Sequence, residues 1–144
     1  MSEFDYFNFQ DVDPTFKPIP KGMRQLRLTK FAAIPCQPKS GKMEGKDTYR
    51  LPATFVIVND PDFSGRRLTQ TFWIHNVVDQ KNIRRLADGV GLAQDAGEAV
   101  ADYARRIAEA QPEFRVFVDE SVDKDQSGTE VPVNKISWST IKPA

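Results

Sequence analysis

The chain of 144 residues has little material for covalent or metal chemistry. It holds one cysteine, Cys36, and one histidine, His75. A lone cysteine excludes a disulfide within the chain and a cysteine-based zinc cluster, and it is typical of proteins in a reducing compartment. As a nucleophile and base, Cys36 and His75 lack a recognisable local signature. We therefore expect a protein that is not an enzyme and that needs no metal or cofactor.

Two other motifs resemble catalytic ones without fitting them. Lys39-Ser40-Gly41-Lys42 lacks the preceding glycine spacing of a phosphate-binding P-loop. Asp60 and Asp62 resemble a pair of catalytic carboxylates. They lie in an Asn-Asp-Pro-Asp turn, however, where Asp side chains usually accept hydrogen bonds from nearby backbone amides. We expect that structural role for them.

Long apolar runs are also missing. No stretch approaches the roughly 20 apolar residues that span a bilayer, and the acidic residues 1–20 lack the basic and apolar zones of a secretion signal. The sequence thus predicts a cytoplasmic protein without membrane association.

Net charge of either sign is absent as well, because 20 basic and 20 acidic residues cancel. This balance argues against a histone-like protein that binds nucleic acid through overall charge. The basic residues are unevenly placed, however. Residues 21–75 contain ten Lys or Arg and four Asp or Glu, a net charge of +6. This segment predicts a local basic face.

Apolar and polar residues alternate in five segments, the pattern of half-buried β-strands. These segments cover about 23–35, 48–59, 66–75, 114–119 and 131–141. In the first, the phase slips between Leu28 and Phe31, which predicts a β-bulge. In the last, Trp138 shares its phase with Ile136 and is expected in the core.

Helical spacing interrupts the strands between the third and the fourth. Asp79 is the expected N-cap of a first helix that ends at Gly89 or Gly91. Asp95 and Glu98 have the spacing of a capping box before a second helix. Its expected apolar stripe is formed by Val100, Tyr103, Ala104 and Ile107.

This order predicts a mainly β fold with a helical insert. We expect a five-stranded barrel of the oligonucleotide/oligosaccharide-binding (OB) type at residues 21–144, with both helices between its third and fourth strands. An extended acidic arm at residues 1–20 precedes it and carries Phe4, Tyr6, Phe7, Phe9 and Phe16. These aromatic residues either dock on a partner or on the chain's own basic face, or pack on the barrel and complete its core.

Single-stranded nucleic acid requires cations that follow its phosphates and flat side chains on which its bases stack. If the apolar set of each strand points inwards, the opposite set supplies both groups. The candidate binding residues on the strands are Arg27, Arg50, Arg67, Trp73, Arg115 and Phe117, and those in the first loop are Lys39, Lys42 and Lys46. The alternatives are that Trp73 lies beneath the helices, that Phe117 packs on the arm or a helix, and that the arginines only aid solubility.

Several short motifs resemble a bacteriophage family long known only as a domain of unknown function. They are Pro18-Ile19-Pro20-Lys21-Gly22, Ser40-Gly41, Phe63-Ser64-Gly65-Arg66, Phe72-Trp73-Ile74 and Asn134-Lys135-Ile136. The resemblance implies an OB-fold single-stranded DNA-binding protein of a phage replication or recombination module, acting in the host cytoplasm beside other proteins of that module. The alternative is a structural or protein-interaction component that uses the barrel as a scaffold. Self-association is left open.

Overall fold

The computed structural model describes residues 2–11 and 17–144. These residues form a short 3-10 turn (Phe9–Asp11), six β-strands and two α-helices. In chain order the elements are β1 (Gly22–Phe31), β2 (Ile34–Cys36), β3 (Thr48–Val58), β4 (Arg67–Trp73), α1 (Val77–Val90), α2 (Val100–Ala110), β5 (Glu113–Lys124) and β6 (Glu130–Pro143).

All six strands belong to one antiparallel sheet. Strands β2 and β1 pair with successive parts of one edge of β3, and β4 pairs with its other edge. Beyond β1, the sheet continues through β5 to β6. Within the described residues, no ladder of backbone hydrogen bonds joins β4 to β6, so the sheet is not closed. The prediction of a mainly β fold with a helical insert is confirmed, and the sheet is compatible with a barrel-like fold.

The prediction of five strands is wrong. Residues 23–35 were expected to form one strand, but Ala32 and Ala33 interrupt it, and Ile34–Cys36 pairs separately with the start of β3. The predicted bulge is confirmed, because the register between β1 and β3 shifts between Leu28 and Lys30. Bulges increase the local twist and bend of a strand, which helps a sheet to coil.

The inward-facing side chains of the strands form one apolar core. Its most deeply buried strand residues are Leu26, Leu28, Phe55, Ile57, Phe72, Phe114, Val116 and Val118. Trp138 is 3% exposed, which confirms its expected place. Its ring centroid lies 5.6–5.8 Å from those of Phe55, Phe72 and Phe114. Because strand residues alternate between faces, burying this set turns the other set away from the core.

Helix α1 begins three residues earlier than predicted. Its N-cap is Asn76, whose Oδ1 accepts a hydrogen bond from the backbone N–H of Asp79 at 3.0 Å. The prediction of Asp79 as N-cap is therefore wrong. Its carboxylate instead accepts a hydrogen bond from the backbone N–H of Trp73 at 2.8 Å, which fixes the end of β4 to the helix. The helix ends at Gly91, as predicted, with a left-handed φ of 70°.

Helix α2 buries the predicted stripe at Tyr103, Ala104 and Ile107. Its N-cap is Ala99, which makes no side-chain capping bond. Of the expected capping box, Glu98 accepts a hydrogen bond from the Asp95 N–H at 3.0 Å. Helix α2 packs on β1 and α1 packs on β6. Neither helix, nor any other helix in the described ranges, has the length and apolar character needed to cross a bilayer.

The N-terminal residues divide into an anchored and an exposed part. Ile19 is 1% exposed and belongs to the core. Its backbone N–H and C=O both bond to the side-chain amide of Asn134 on β6, each at 2.9 Å. Four aromatic residues nearer the N-terminus are 47–91% exposed, so they do not complete the core: Phe4, Tyr6, Phe7 and Phe9. Phe16 lies outside the described residues.

Candidate nucleic-acid interface

The side of β3 and β4 that faces away from the core forms a continuous surface. On β3, Leu51, Ala53, Phe55 and Ile57 are buried, so the residues between them point to the opposite side. We call this surface the β3–β4 face, formed by Arg50, Pro52, Thr54, Val56, Arg67, Thr69, Thr71 and Trp73. Its β4 residues Arg67, Thr69 and Thr71 are exposed to solvent.

Arg50 and Trp73 are direct cross-strand partners at one end of this face. Side chains in such a pair have their Cβ atoms about 5 Å apart, so Arg50 and Trp73 leave the sheet as neighbours on the same face. Both residues keep part of their surface accessible, and Trp73 is therefore not sealed beneath the helices. The Trp73 ring lies 5.8 Å from that of His75, whose Nδ1 is 2.9 Å from the Thr48 hydroxyl.

The loop that carries the three predicted lysines is attached to the same end of β3 as Arg50. It runs from β2 to β3, and the register of those strands places Ile34 opposite Arg50. Lys39, Lys42 and Lys46 are all exposed. At the base of the loop, the Gln37 side-chain amide donates to the Asp47 carboxylate at 2.9 Å. The loop thus adds cations to the end of the face where the indole lies.

Arg67 lies at the other end of β4. It is six residues from Trp73, which corresponds to roughly 20 Å along a strand. Arg27 belongs to the same cross-strand row, because Val56 pairs with both Arg27 and Arg67. The charge of Arg27 is already matched, however. Its guanidinium bonds to the Glu113 carboxylate at 2.9 Å, and this bond is the main cause that lowers the pKa of Glu113.

Arg115 and Phe117 form a separate group on β5. They pair with Gln25 and Met23 of β1, and β1 separates β5 from β3 in the sheet. Measured along the strands, Phe117 is displaced from Trp73 by about ten residues, or roughly 30 Å. The structure therefore places the lysine loop at the end of β3 that carries Arg50, the partner of Trp73, and leaves Arg115 and Phe117 at a distance.

Comparison with known proteins gives no match for this chain. No protein-family model matches the chain, and no curated protein matches it. In the described ranges, no three side chains of His, Cys, Asp or Glu lie together as a group that could hold a metal ion.

One aromatic side chain at this end of the sheet, that of Tyr49, was not among the predicted site residues. The alternation of β3 groups Tyr49 with the buried residue Leu51, but Tyr49 is 38% exposed. It lies beyond the edge of the core, where β3 leaves the loop, and its carbonyl accepts a hydrogen bond from the Ile74 N–H at 3.3 Å. Its position directly after a Gly- and Lys-rich loop is the signal that marks it as a rim residue.

Asp60 has the structural role predicted for it. Its Oδ1 accepts hydrogen bonds from the backbone N–H groups of Asp62 and Phe63 at 2.9 and 3.0 Å. Its other oxygen lies 2.8 Å from the Arg24 guanidinium, which also sits 5.0 Å from the centre of the Phe63 ring. The Asp62 amide, followed by the Phe63 amide and Arg24, lowers the pKa of Asp60. The carboxylate closes a turn.

Proposed function

We propose that this protein binds single-stranded DNA without catalysis and with little sequence preference, through the β3–β4 face and the adjacent lysine loop. The order of its long strands supports an OB-type barrel: β1 lies between β3 and β5, and the helices connect β4 to β5. In OB folds the second and third strands and the loop after the first strand bind oligonucleotides. Here those parts correspond to β3, β4 and residues 37–47.

The pairing of Arg50 with Trp73 carries this proposal. An indole offers a flat surface on which any base can stack, a contact worth about 1–3 kcal/mol per base. A neighbouring guanidinium attracts the phosphate that accompanies that base and releases its counterions. Stacking of this kind requires an unpaired, accessible base, so the arrangement favours single strands over duplex DNA.

The other candidates take graded roles in this proposal. Lys39, Lys42, Lys46 and Arg67 contact phosphates, since all four are exposed. Arg27 contributes less because Glu113 already pairs with it. Arg115 and Phe117 contact DNA only when a longer strand crosses β1 to reach β5. The resemblance noted in the sequence supports a role in protecting single strands during phage replication or recombination in the host cytoplasm.

Fluorescence anisotropy of labelled oligonucleotides tests the proposal. Affinity for single strands should exceed that for duplex and fall steeply as salt rises. Trp73→Ala should weaken binding about 5- to 150-fold, the equivalent of 1–3 kcal/mol. Arg50→Gln should weaken binding and reduce the salt slope by about one. The matched control is Arg105→Gln, which removes an exposed arginine from α2 and should leave the salt slope unchanged.

Equal affinity for single strands and duplex, or no binding to either at low salt, would refute this function. Loss of binding with Arg105→Gln as large as that with Arg50→Gln would indicate a general charge effect and would remove the β3–β4 face from the proposal.

A protein-interaction or structural role is the second candidate. The exposed aromatic residues Phe4, Tyr6, Phe7 and Phe9 favour it, because exposed apolar clusters often mark contacts with other proteins. Mass measurement in solution with and without DNA distinguishes the two functions. A structural module should form a complex with itself or with a protein partner, and the measured mass of that complex should be the same with and without DNA.

A further inference from the structure

The N-terminal segment, defined here as Ser2–Asp11, presents an aromatic cluster to solvent. The Phe7 ring lies 6.1 Å from the Phe4 ring and 5.1 Å from the Phe9 ring, and Tyr6 is 91% exposed. Exposing four large aromatic side chains is unfavourable, since burying one is worth about 1.5–3 kcal/mol. Burial of the cluster against a docking surface would therefore be favourable in free energy.

The charge of the segment indicates which surface would accept it. It contains Glu3, Asp5 and Asp11 and no Lys or Arg, a net charge of −3. The β3–β4 face and its loop carry a net charge of +3 beside Trp73, because two acidic residues, Glu44 and Asp47, offset part of five cationic ones: Lys39, Lys42, Lys46, Arg50 and Arg67. An acidic segment with flat rings offers this face the same two features as single-stranded DNA, namely negative charge and planar groups that stack.

The point of attachment lies next to that face. The Lys17 carbonyl accepts a hydrogen bond from the Arg66 guanidinium at 2.7 Å, and Arg66 directly precedes Arg67 on β4. Ten residues separate Phe7 from Lys17, a span of at most about 35 Å for a fully extended chain. The face itself is roughly 20 Å long from Arg67 to Trp73. The aromatic cluster can therefore reach any part of it.

We propose that the N-terminal segment docks on the β3–β4 face of its own chain and there competes with DNA. The competition rests on the proposed function, whereas the docking does not. A short tether gives the segment an effective concentration in the millimolar range at the face. A second copy of the chain present at micromolar concentration cannot match that, so the occupant is the segment of the same molecule.

A nitroxide label at position 8 tests the docking directly. The label is attached to Asn8→Cys in a full-length chain that also carries Cys36→Ser, and amide signals are recorded by NMR. The proposal expects selective broadening of the β4 amides and of the Trp73 indole, independent of protein concentration. Reduction of the nitroxide to its diamagnetic form is the matched control and should restore these signals. Absence of broadening, or broadening that grows with concentration, overturns the proposal.

The second measurement is DNA affinity after Phe4, Tyr6, Phe7 and Phe9 are replaced by Ser in the full-length chain. These substitutions keep the charge constant, so they separate docking from electrostatic repulsion. If docked molecules outnumber free ones between about twofold and tenfold, affinity should rise roughly three- to tenfold. Val122→Ser is the control, since it alters an exposed apolar residue on β5 and should change nothing.

The two measurements separate the possible failures. Unchanged DNA affinity of the four-residue variant overturns the competition. If neither the native chain nor the four-residue variant binds DNA while the label still broadens the β4 signals, the proposed function is refuted and the docking is supported.

Discussion

Replacing Asn134 should destabilise the fold by detaching the N-terminal residues from the sheet. Its side-chain amide acts like a short piece of neighbouring strand. It accepts from the Ile19 N–H at 2.9 Å and donates to the Ile19 carbonyl at 2.9 Å and to the Asp119 carbonyl at 3.2 Å. These bonds hold the Ile19 side chain in the core, where it is 1% exposed.

The expected magnitude follows from these contacts. Each hydrogen bond contributes about 0.5–1.5 kcal/mol net, so three bonds contribute at most about 4.5 kcal/mol. The loss is smaller if the freed backbone groups of Ile19 reach water. We expect Asn134→Ala to lower the free energy of unfolding by about 2–3 kcal/mol. A domain with a typical stability of about 5–15 kcal/mol remains folded after that loss.

A double-mutant cycle with urea unfolding is the assay. Ile19→Ala alone should cost about 2–5 kcal/mol, the usual range for such a truncation in a core. If Asn134→Ala already releases Ile19, the double variant should lose at least 1 kcal/mol less than the sum of the two single losses. The control Asn82→Ala removes an exposed side-chain bond to Arg85 and should shift stability by less than about 0.5 kcal/mol. If the stability loss of the double variant equals the sum of the two single losses within about 0.5 kcal/mol, Asn134 does not hold Ile19 in place and the prediction is refuted.

Two further predictions concern the core and the turn before β4. Trp138→Phe removes part of a buried ring and its bond to Gln70 at 3.1 Å, and should lower the free energy of unfolding by about 1–3 kcal/mol; an unchanged urea midpoint would contradict the packing described. Asp60 has a lowered pKa in the folded state, so it stabilises the fold above the pKa of about 3.9 in unfolded chains and loses that effect as pH falls through its folded value. Between pH 5 and pH 3 the native chain should therefore lose stability more steeply than Asp60→Asn, as urea midpoints at each pH would show; parallel pH profiles would contradict this.

The alternation of residues was sufficient to predict the core but not the limits of the elements. Phe55, Phe72 and Trp138 were predicted in the core because, in a strand with one buried face, every second side chain points inwards. The start of α1 was mispredicted because Asn76 and Asp79 are both good N-caps by residue type. A tertiary contact decided between them: the Asp79 carboxylate is occupied by the Trp73 N–H.

The candidate face was predictable in part for the same reason. Alternation placed Arg50, Arg67 and Trp73 on one side of their strands, but only the register places Arg50 opposite Trp73. Sequence spacing carries no sign that Arg27 pairs with Glu113, 86 positions away. It also does not show that β1 separates β5 from β3, which is why Arg115 and Phe117 were grouped with residues far from them.

Two of the short motifs behind the family resemblance meet in space. Ile19, from the Pro-Ile-Pro motif, bonds to Asn134, from the motif of the last strand. A third motif supplies Arg66, which bonds to Lys17. These residues fasten the start of the domain to the sheet, so three of the five motifs contain residues with a structural role. The candidate DNA contacts come mainly from strand alternation and charge.

The bonds between Ile19 and Asn134 can form only late in synthesis on the ribosome, because 115 positions separate the two residues. At about 5–20 residues per second, a ribosome adds Asn134 roughly 6–23 s after Ile19. During that interval the nascent chain lacks the Asn134 side chain that binds the Ile19 backbone, and β5 has not yet paired with β6. Contacts of such long range are also slow to form in refolding experiments, since the loop between them must close first. A newly made molecule therefore depends on β6 to secure Ile19.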